Sequence, residues 1–496
     1  MASSSSGASS VFDPSKPPSS VGSAMSNNHD GAVPSLGSTT ATTVASAAPE
    51  KSPDDSSKLK TFLGILRQFI GVSDIATVRF SLPAQLLEPT PNLEYWNYLD
   101  RPETFVSIGK SDDPLGRMLE VLRFWFTKDL KYIKGKPCKP YNSVLGEFFR
   151  CNWEIEDSEN PITTTDHTSA SSTTSATTSG SATVDTKDSP ERVKISYLTE
   201  QTSHHPPVSA FYVDCPQRGI TARGFDQISA KFTGTSIRVT PGQHNLGIFV
   251  TLRDRDDEEY QLTHPAAHLG GLLRGTLSIS VSDTCFITCA KTRIKAILQY
   301  LDEGWIGKTQ NRVVGVIFRY DPENDTKFKI KDVPEADILA RIEGCWHERI
   351  YYTLATAAGT NKCNASKEKN KDREQRLLID IAPLFPVSKL VPPDDQQLPN
   401  ESRRFWSRVT AAIGEKQYSL ATKLKQELEE QQRRLDSARK ERNEEWKPRF
   451  FTVPVAPSGK PELTAEGEKV LMGLHGGNFT LEGREESSSG ETAESA

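Results

Sequence analysis

The sequence predicts a β-rich α+β fold, a long series of short antiparallel strands with helices before and after it. Three observations carry this. From about residue 145 to 355, short runs of alternating apolar residues are separated by Gly-, Pro- and Asp-rich turns at intervals of roughly ten residues. Helical apolar stripes flank that region on both sides. No repeat of solenoid or propeller length runs through the chain. Many short strands in series make an antiparallel meander, a sandwich or a barrel.

Taken in order, residues 1–57 are rich in Ser, Ala, Pro and Thr. Such a segment cannot bury enough apolar surface to offset its ordering entropy, so a disordered tail is expected. Lys58–Gly71 then carries Leu59, Phe62, Leu63, Leu66, Phe69 and Ile70 at helical spacing, with Gly71 as the stop. Leu115–Ile133 repeats the pattern with Leu119, Leu122, Phe126, Leu130 and Ile133, ended by Gly135 and Pro137. The strand region follows, with FFRCNWEIE (148–156), RVKISYLTE (192–200), KFTGTSIRV (231–239), GIFVTL (247–252), GTLSISV (275–281), IKAILQY (294–300) and RVVGVIFRY (312–320). Between the first two runs lies a tract, 161–190, in which 17 of 30 residues are Ser or Thr. Loop entropy grows slowly with length, so 157–190 reads as an elaborated, disordered hairpin loop inside one domain, not a boundary. After residue 400, Ser402–Ile413 places Phe405, Trp406, Val409 and Ile413 on one side, and the charge-dense Gln417–Trp446 ends in WKPRFF. With no sustained heptad, this second stretch reads as a helix lying on the sheet and not a coiled coil. Residues 453–496 are expected to form a largely flexible tail.

Composition excludes whole classes. Of 496 residues only 35% are hydrophobic, and the deficit lies in the polar tracts, which leaves a body large enough for a substantial core. A mean hydropathy of -0.52 and the lack of a long apolar run exclude an integral membrane protein. The net charge of -5 gives no basic signature for nucleic acid. Seven cysteines, an odd number, are too few for a disulfide scaffold in a chain this long. The first residues have no apolar core of a secretory signal, the Met-Ala start excludes myristoylation, and the ETAESA end excludes prenylation. A reducing, cytosolic setting is expected.

Three segments carry chemistry. The first is Glu200-Gln201-Thr202-Ser203-His204-His205-Pro206-Pro207. Adjacent histidines cannot share one side of a strand, and Pro-Pro imposes an extended chain, so the pair is expected at a strand end, rings near a rim. There they could donate to an anionic headgroup, or they are solvated turn residues. The second is Lys139-Pro140-Tyr141-Asn142-Ser143-Val144-Leu145-Gly146-Glu147, in which Pro140 makes Lys139 extended. The third is Lys425, Glu429 and Arg433, which fall within about 80° of one another on a helix face. They form either a surface ion-pair ladder or a phosphate-binding set with Glu429 fixing the cations. Metal sites are excluded. Cys285 and Cys289 lack further ligands, and His264 and His268 are separated by Pro265, Ala266 and Ala267 with no Glu base. No G-x-S-x-G elbow supplies a hydrolase nucleophile.

Together, EQ-x-SHHPP, KP-x-N-x-x-LGE and K-x-x-x-E-x-x-x-R, in that set and chain order, resemble the oxysterol-binding protein (OSBP-related) lipid-transfer family over about 58–452. With no pleckstrin-homology-sized region, ankyrin period or membrane tail, the chain resembles its short, fungal-type form. The resemblance implies an incomplete many-stranded antiparallel β-barrel enclosing a lipid, with an N-terminal helical lid at 58–87 and C-terminal helices at 400–447. It implies that Lys139, Asn142, His204, His205, Lys425, Glu429 and Arg433 bind the headgroup of phosphatidylinositol 4-phosphate, the histidines at the 4-phosphate. Phe62, Leu66, Phe69, Leu82 and Leu86 would be lid residues facing cargo, and Ser229 a barrel residue that hydrogen-bonds a serine head. The cargo would be a sterol or phosphatidylserine, with a slight lean to the phospholipid. The implied protein is a monomeric, non-enzymatic carrier without cofactor or metal. It would exchange its cargo for the phosphoinositide at endoplasmic reticulum, Golgi or plasma membrane contact sites, as a peripheral visitor. The alternative is a phosphoinositide or sterol sensor or scaffold without net transport. Glu147-Phe148-Phe149 begins like an FFAT motif, but Arg150 stands where an acidic residue is wanted.

Overall fold

The computed structural model describes residues 55–78, 82–135, 139–164, 191–273, 277–301, 311–355, 374–452 and 459–482. The expected N-terminal tail up to residue 54, Phe80 of the expected lid, and the Ser/Thr tract from 165 to 190 lie outside the described residues. The first element, α1 (Asp55–Leu66), runs into a 3-10 turn, Arg67–Phe69, and Gly71 ends it at φ +89°. Leu59, Leu66, Phe69 and Ile75 form one apolar cluster with Ala230, Phe232, Ile237 and Leu272, so the stripe is buried against strands.

Two short helices, α2 (Asn92–Tyr95) and α3 (Pro102–Val106), lead to α4 (Pro114–Thr127) and α5 (Leu130–Lys134). Asp113 caps α4 by accepting from the Gly116 N–H at 3.0 Å. The single helix expected over Leu115–Ile133 is therefore two. Thr127 Oγ1 bonds the Arg123 and Phe124 carbonyls at 3.1 Å and faces Thr104 Oγ1 at 2.7 Å, a competing set of side-chain bonds at the helix end. Asp129 then leaves helical geometry (φ -128°, ψ 40°), and Asp100 accepts from the Lys131 N–H at 2.8 Å to restart the turn.

The strands are β1 (Phe148–Glu156), β2 (Arg192–His204), β3 (Pro207–Cys215), β4 (Ile220–Asp226), β5 (Ile228–Phe232), β6 (Ile237–Pro241), β7 (Ile248–Leu252) and β8 (Glu258–Leu262). They continue as β9 (Ala266–Gly270), β10 (Ser278–Cys289), β11 (Ile294–Tyr300), β12 (Arg312–Arg319), β13 (Ile338–Cys345), β14 (Arg349–Leu354) and β15 (Gln375–Asp380). All fifteen join one sheet whose main path is β1-β2-β3-β4-β7-β8-β10-β11-β12-β13-β14-β15, with β5, β6 and β9 as a side branch reached through β10. Every ladder is antiparallel, as the period-2 runs require. β1 and β15 end the path without pairing to each other, so the barrel is incomplete. Part of the β1 edge is covered: Asn152 exchanges backbone hydrogen bonds with Leu390 at 2.8 and 2.7 Å, and the Phe148 N–H reaches the Asn400 carbonyl. Phe148 and Phe149 are fully buried, and Arg150 pairs in two contacts, 3.1 and 3.3 Å, with the buried Glu401; this segment is sheet interior and not an exposed motif.

Two expected flexible segments are folded where they are described. Residues 157–164, assigned to the disordered insert, run back over α4, because the buried Glu120 carboxylate gathers the N–H groups of Gly109, Ser111 and Ile162 at 3.0, 3.0 and 3.2 Å. The C-terminal helices are α6 (Ser402–Gly414) and α7 (Tyr418–Glu441), as expected, but the chain continues in order through the short β16 (Phe451–Thr452) and β17 (Glu462–Leu463) into α8 (Ala465–His475). Residues 459–482 are thus no flexible tail. Val470, Leu471 and Leu474 bury against Phe148, Leu198, Val208, Phe450 and Phe451. Thr464 Oγ1 caps α8 at the Gly467 N–H (3.1 Å), while Asn152 Nδ2 and Lys194 Nζ take its last carbonyls at 2.8 and 3.1 Å. Four large apolar residues in about one turn, with Met472 exposed, are too short a stripe to announce a helix.

Leu474 is fully buried, so Leu474→Ala is expected to lower unfolding stability by about 3 kcal/mol in chemical denaturation. A change below about 0.5 kcal/mol, typical of a surface site, would mean that α8 is not docked.

Candidate functional site

The β2–β3 hairpin ends in a two-residue turn. His204 pairs with Pro207 in the ladder, and His205-Pro206, joined by a cis peptide bond, forms the tip. Pro-Pro therefore makes a tight turn and not the extended continuation expected. Turning the chain at this point also lets both imidazoles approach, at 4.5 Å between ring centres, which a straight strand forbids. His204 is half-buried and His205 exposed. Ser203 Oγ bonds the Pro206 carbonyl at 2.8 Å, Gln201 Nε2 the Ser203 carbonyl at 2.6 Å, and Thr202 Oγ1 the Val208 carbonyl at 3.2 Å. The polar residues before the histidines are used up in shaping the turn.

The second segment docks beside it. Gln201 exchanges backbone bonds with Glu147 (2.8 Å) and Gly146 (3.1 Å), which extends the β1–β2 ladder into the LGE motif. Gly146 has φ +77°, a conformation that calls for glycine, and the Trp446 ring packs 3.4 Å from where a Cβ would be. Glu147 is fully buried and accepts from Val144 N–H (3.0 Å), Ser402 Oγ (2.7 Å) and Trp406 Nε1 (3.1 Å). Burial pushes its carboxyl up to about 7 against the lowering effect of those donors. Tyr141 stacks on Trp406 of α6 at 4.7 Å and meets Thr410 Oγ1 at 3.1 Å. On either side of Tyr141, Lys139 Nζ donates to Asn142 Oδ1 at 2.5 Å.

The third segment packs on the same cluster. Ala421 and Leu424 of α7 join Tyr141, Val144, Trp406, Val409 and Ala84 in one apolar group, and Thr422 Oγ1 accepts from the Ala84 N–H at 3.3 Å. Lys425, next to Leu424, is only 4% exposed and donates to Glu429 Oε1 at 2.6 Å. The structure thus brings the Lys139–Asn142 pair and the Lys425–Glu429 pair onto elements that share one core, and joins the histidine hairpin to it through Gln201. Arg433 stands apart: it lies about 12 Å along α7 from Lys425, is 62% exposed, and pairs with Glu430 at 3.8 Å.

Among the lid residues, Leu66, Phe69 and Leu82 are buried, while Phe62 and Leu86 are half-buried. Ser229 is half-buried on the face of β5 opposite Ala230 and Phe232, which meet the lid cluster. Cys285 and Cys289 belong to the apolar core. His264 stacks on Tyr98 at 5.4 Å, whereas His268 Nε2 meets Ser282 Oγ at 2.9 Å, so that pair is divided between two environments.

Sequence reasoning missed a polar cluster set in the main core. Tyr98 Oη donates to Asp226 Oδ1 at 2.6 Å; Lys128, paired with Asp129, stands over the Trp125 and Tyr98 rings at 4.4 and 5.0 Å. Burial lifts the Asp226 carboxyl to about 7, and burial with Lys128 nearby lowers His264 to about 3. Tyr98 also has φ +59°, unusual for a bulky residue and held by the Asn97 Oδ1 bond to the Leu99 N–H at 2.8 Å. The break between α4 and α5 delivers Lys128 and Asp129 here, and a helix read straight through it hides them. Glu200, the first residue of the histidine segment, has a role that the sequence does not reveal. It is buried, and its two oxygens accept from the N–H groups of Arg449 (2.7 Å) and Phe450 (2.8 Å).

The chain matches the family model described as oxysterol-binding protein over residues 61–469. It is 45% identical to oxysterol-binding protein-like protein 1 of Schizosaccharomyces pombe, over 84% of this chain and 90% of that protein. It is 30% identical to human oxysterol-binding protein-related protein 9, over 75% of this chain but 44% of that longer protein. Among solved structures, the Osh1 ORD domain in complex with cholesterol superposes with a TM-score of 0.59 at 18% identity, covering 87% of this chain and 91% of that one. The Osh3 ORD in complex with PI(4)P, from Saccharomyces cerevisiae, gives 0.53 at 16% identity, with 84% and 92% covered. At these identities the two structures establish the fold: a large open antiparallel barrel with flanking helices.

A carboxyl raised in the folded state stabilises below its unfolded value and loses that contribution as pH climbs through its folded value. For Glu147 that window runs from the ordinary 4.5 up to about 7. Glu147→Gln is therefore expected to remove a pH-dependent loss of stability between about pH 4.5 and 7, read as the difference between mutant and wild-type urea midpoints across that range. Parallel midpoints for the two proteins would show that Glu147 does not titrate there.

Proposed function

The chain belongs to the oxysterol-binding protein family, and from that premise we propose that it is a lipid-transfer protein that exchanges a barrel-bound lipid for phosphatidylinositol 4-phosphate between membranes. The family is one of lipid binders and not of enzymes. The observation that carries the reading is the convergence of the three motif segments on one framework, through Gln201, Glu147, Tyr141 and Leu424. That framework sets two cations and two imidazoles on neighbouring elements, a donor set suited to a polyanionic headgroup. Lys139 with Asn142, and Lys425 with Glu429, are the proposed phosphate-facing pairs, and His204 and His205 the proposed 4-phosphate contacts. Arg433, being remote from Lys425, is assigned the outer rim only. The Osh3 relative in complex with PI(4)P and the Osh1 relative in complex with cholesterol agree with a fold that serves both kinds of ligand.

For the cargo we propose a sterol or phosphatidylserine. Tyr98, Asp226, Lys128, Asp129 and His264 supply donors and acceptors of both signs inside an otherwise apolar core. A lone sterol hydroxyl needs one such partner, and a zwitterionic serine head uses several, so the cluster favours the phospholipid. Leu66, Phe69 and Leu82, with the half-buried Phe62 and Leu86, are the proposed lid. Among the described residues no helix is long and apolar enough to cross a membrane, and we place the protein peripherally at organelle contact sites, opening its lid on the bilayer.

His204→Ala with His205→Ala is expected to abolish extraction of phosphatidylinositol 4-phosphate from liposomes while cargo extraction persists; unchanged extraction would sink the headgroup assignment. Exchange requires one-to-one competition. Titrating phosphatidylinositol 4-phosphate into cargo-loaded protein should release one cargo molecule per phosphoinositide taken up, and transfer between two liposome populations should accelerate when the phosphoinositide starts in only one. Binding of both lipids without displacement, or no transfer, would replace the carrier by a sensor or scaffold.

A further inference from the structure

The outer face of the hairpin that carries His204 and His205 is not left to solvent. Phe450 meets Phe148 edge-to-face at 4.9 Å, and Phe450, Phe451, Val470, Leu471 and Leu474 cover Leu198, Val208 and Ala210, apolar residues on both strands of the hairpin. Val208 follows the turn directly. At the centre of this contact the buried Glu200 carboxylate receives two consecutive backbone N–H groups, those of Arg449 and Phe450, at 2.7 and 2.8 Å. Both carboxylate oxygens are so committed, four residues from the first histidine. The C-terminal segment is braced internally by Arg449 Nε on Glu466 Oε1 at 2.7 Å and is anchored to β8 by Lys460 Nζ on Glu259 Oε1 at 2.5 Å. At the end of the hairpin away from the turn, His475 lies between Asp214 (3.1 Å) and Ser196 (3.2 Å). Such a segment is a second fixed body pressed against the strands behind the turn.

We propose that residues 449–452 and 459–482 are a buttress that positions the His204–His205 turn, and that Glu200 is the positioning residue through which it acts. Glu200 touches no ligand in this scheme. Its carboxylate accepts from two backbone donors of the buttress, so a seated buttress steadies the strand that carries the turn, while Ser203 and Thr202 shape the turn locally. The adjacent Gln201 joins the other neighbour through its main chain alone, exchanging backbone bonds with Gly146 and Glu147, while its amide bonds the Ser203 carbonyl at 2.6 Å. Residues 200 and 201 thus tie the hairpin to one neighbouring segment each, the first by its side chain and the second by its backbone. Which ligand feels these ties rests on the headgroup reading above; the mechanical coupling does not.

The test uses the full-length chain and two variants, Glu200→Gln on the hairpin and Phe450→Ala on the buttress, with hydrogen–deuterium exchange and liposome extraction as readouts. A Gln amide sets an N–H against one of the two donors, and loss of a hydrogen bond to a charged group corresponds to about tenfold or more in an equilibrium. The expected result is exchange about tenfold faster at residues 203–208 and 449–451 in either variant, with phosphatidylinositol 4-phosphate extraction down about tenfold and cargo extraction within about twofold of wild type. Unchanged exchange at 203–208 in both variants would overturn the buttress. So would an equal loss of both ligands, which is the mark of general destabilisation. A loosened turn with undiminished phosphoinositide extraction would uphold the buttress and overturn the headgroup assignment instead.

Discussion

The carboxylate of Glu147, sealed from solvent, holds the rim together. It fastens the Val144 N–H of its own loop and the Ser402 hydroxyl and Trp406 indole of α6, while its backbone continues the β1–β2 ladder against Gln201. An unpartnered carboxyl in that position would cost several kcal/mol, so the three donors and the fold around them define one another. Once they are in place, Tyr141 can stack on Trp406 and the Lys139–Asn142 pair is fixed beside it. α7 follows, because Ala421 and Leu424 fill the remaining apolar surface, and Lys425 is carried in with them.

Buried polarity recurs elsewhere in the fold with a different consequence. Arg150–Glu401 and Arg117–Glu258 are geometrically complete pairs, with contacts of 3.1 and 2.7 Å, and they join distant segments of chain. Such pairs specify which elements meet more than they stabilise the fold. The cluster around Tyr98 and Asp226 differs. Its members have burial-shifted proton affinities in opposite directions, and Tyr98 holds a costly backbone conformation. This is the cluster proposed above to meet the head of the cargo.

How much was legible in the sequence depended on the range of the signal. Most of the strand texture, α1 and α6 followed from periodicity, because burial of one face writes a 2.0 or 3.6 residue pattern into the chain, though the run at 231–239 is a β5–β6 hairpin and not one strand. The motif residues were legible as types in series: His204, His205, Lys139 and Lys425 lie on elements tied to one framework, and only Arg433 stands outside it. What failed was decided at a distance. The end of α4 depends on Thr104 and Asp100, more than twenty residues away, and the docking of α8 depends on Asn152 and Lys194, some three hundred away. Neither leaves a local trace.

By itself, then, the sequence determined the β-rich class, the family and the residue types offered to a headgroup. Each of these is written in local pattern and short motifs. Only the tertiary structure decided that Pro-Pro turns the chain and brings the two imidazoles together, that the Glu200 carboxylate accepts from the backbone of the C-terminal segment, and that Lys128 and Asp129 enter the core beside Tyr98. The physical reason is common to all three. A hydrogen bond or ion pair is satisfied by whatever group the fold brings within about 3 Å, and sequence separation puts no limit on which group that is.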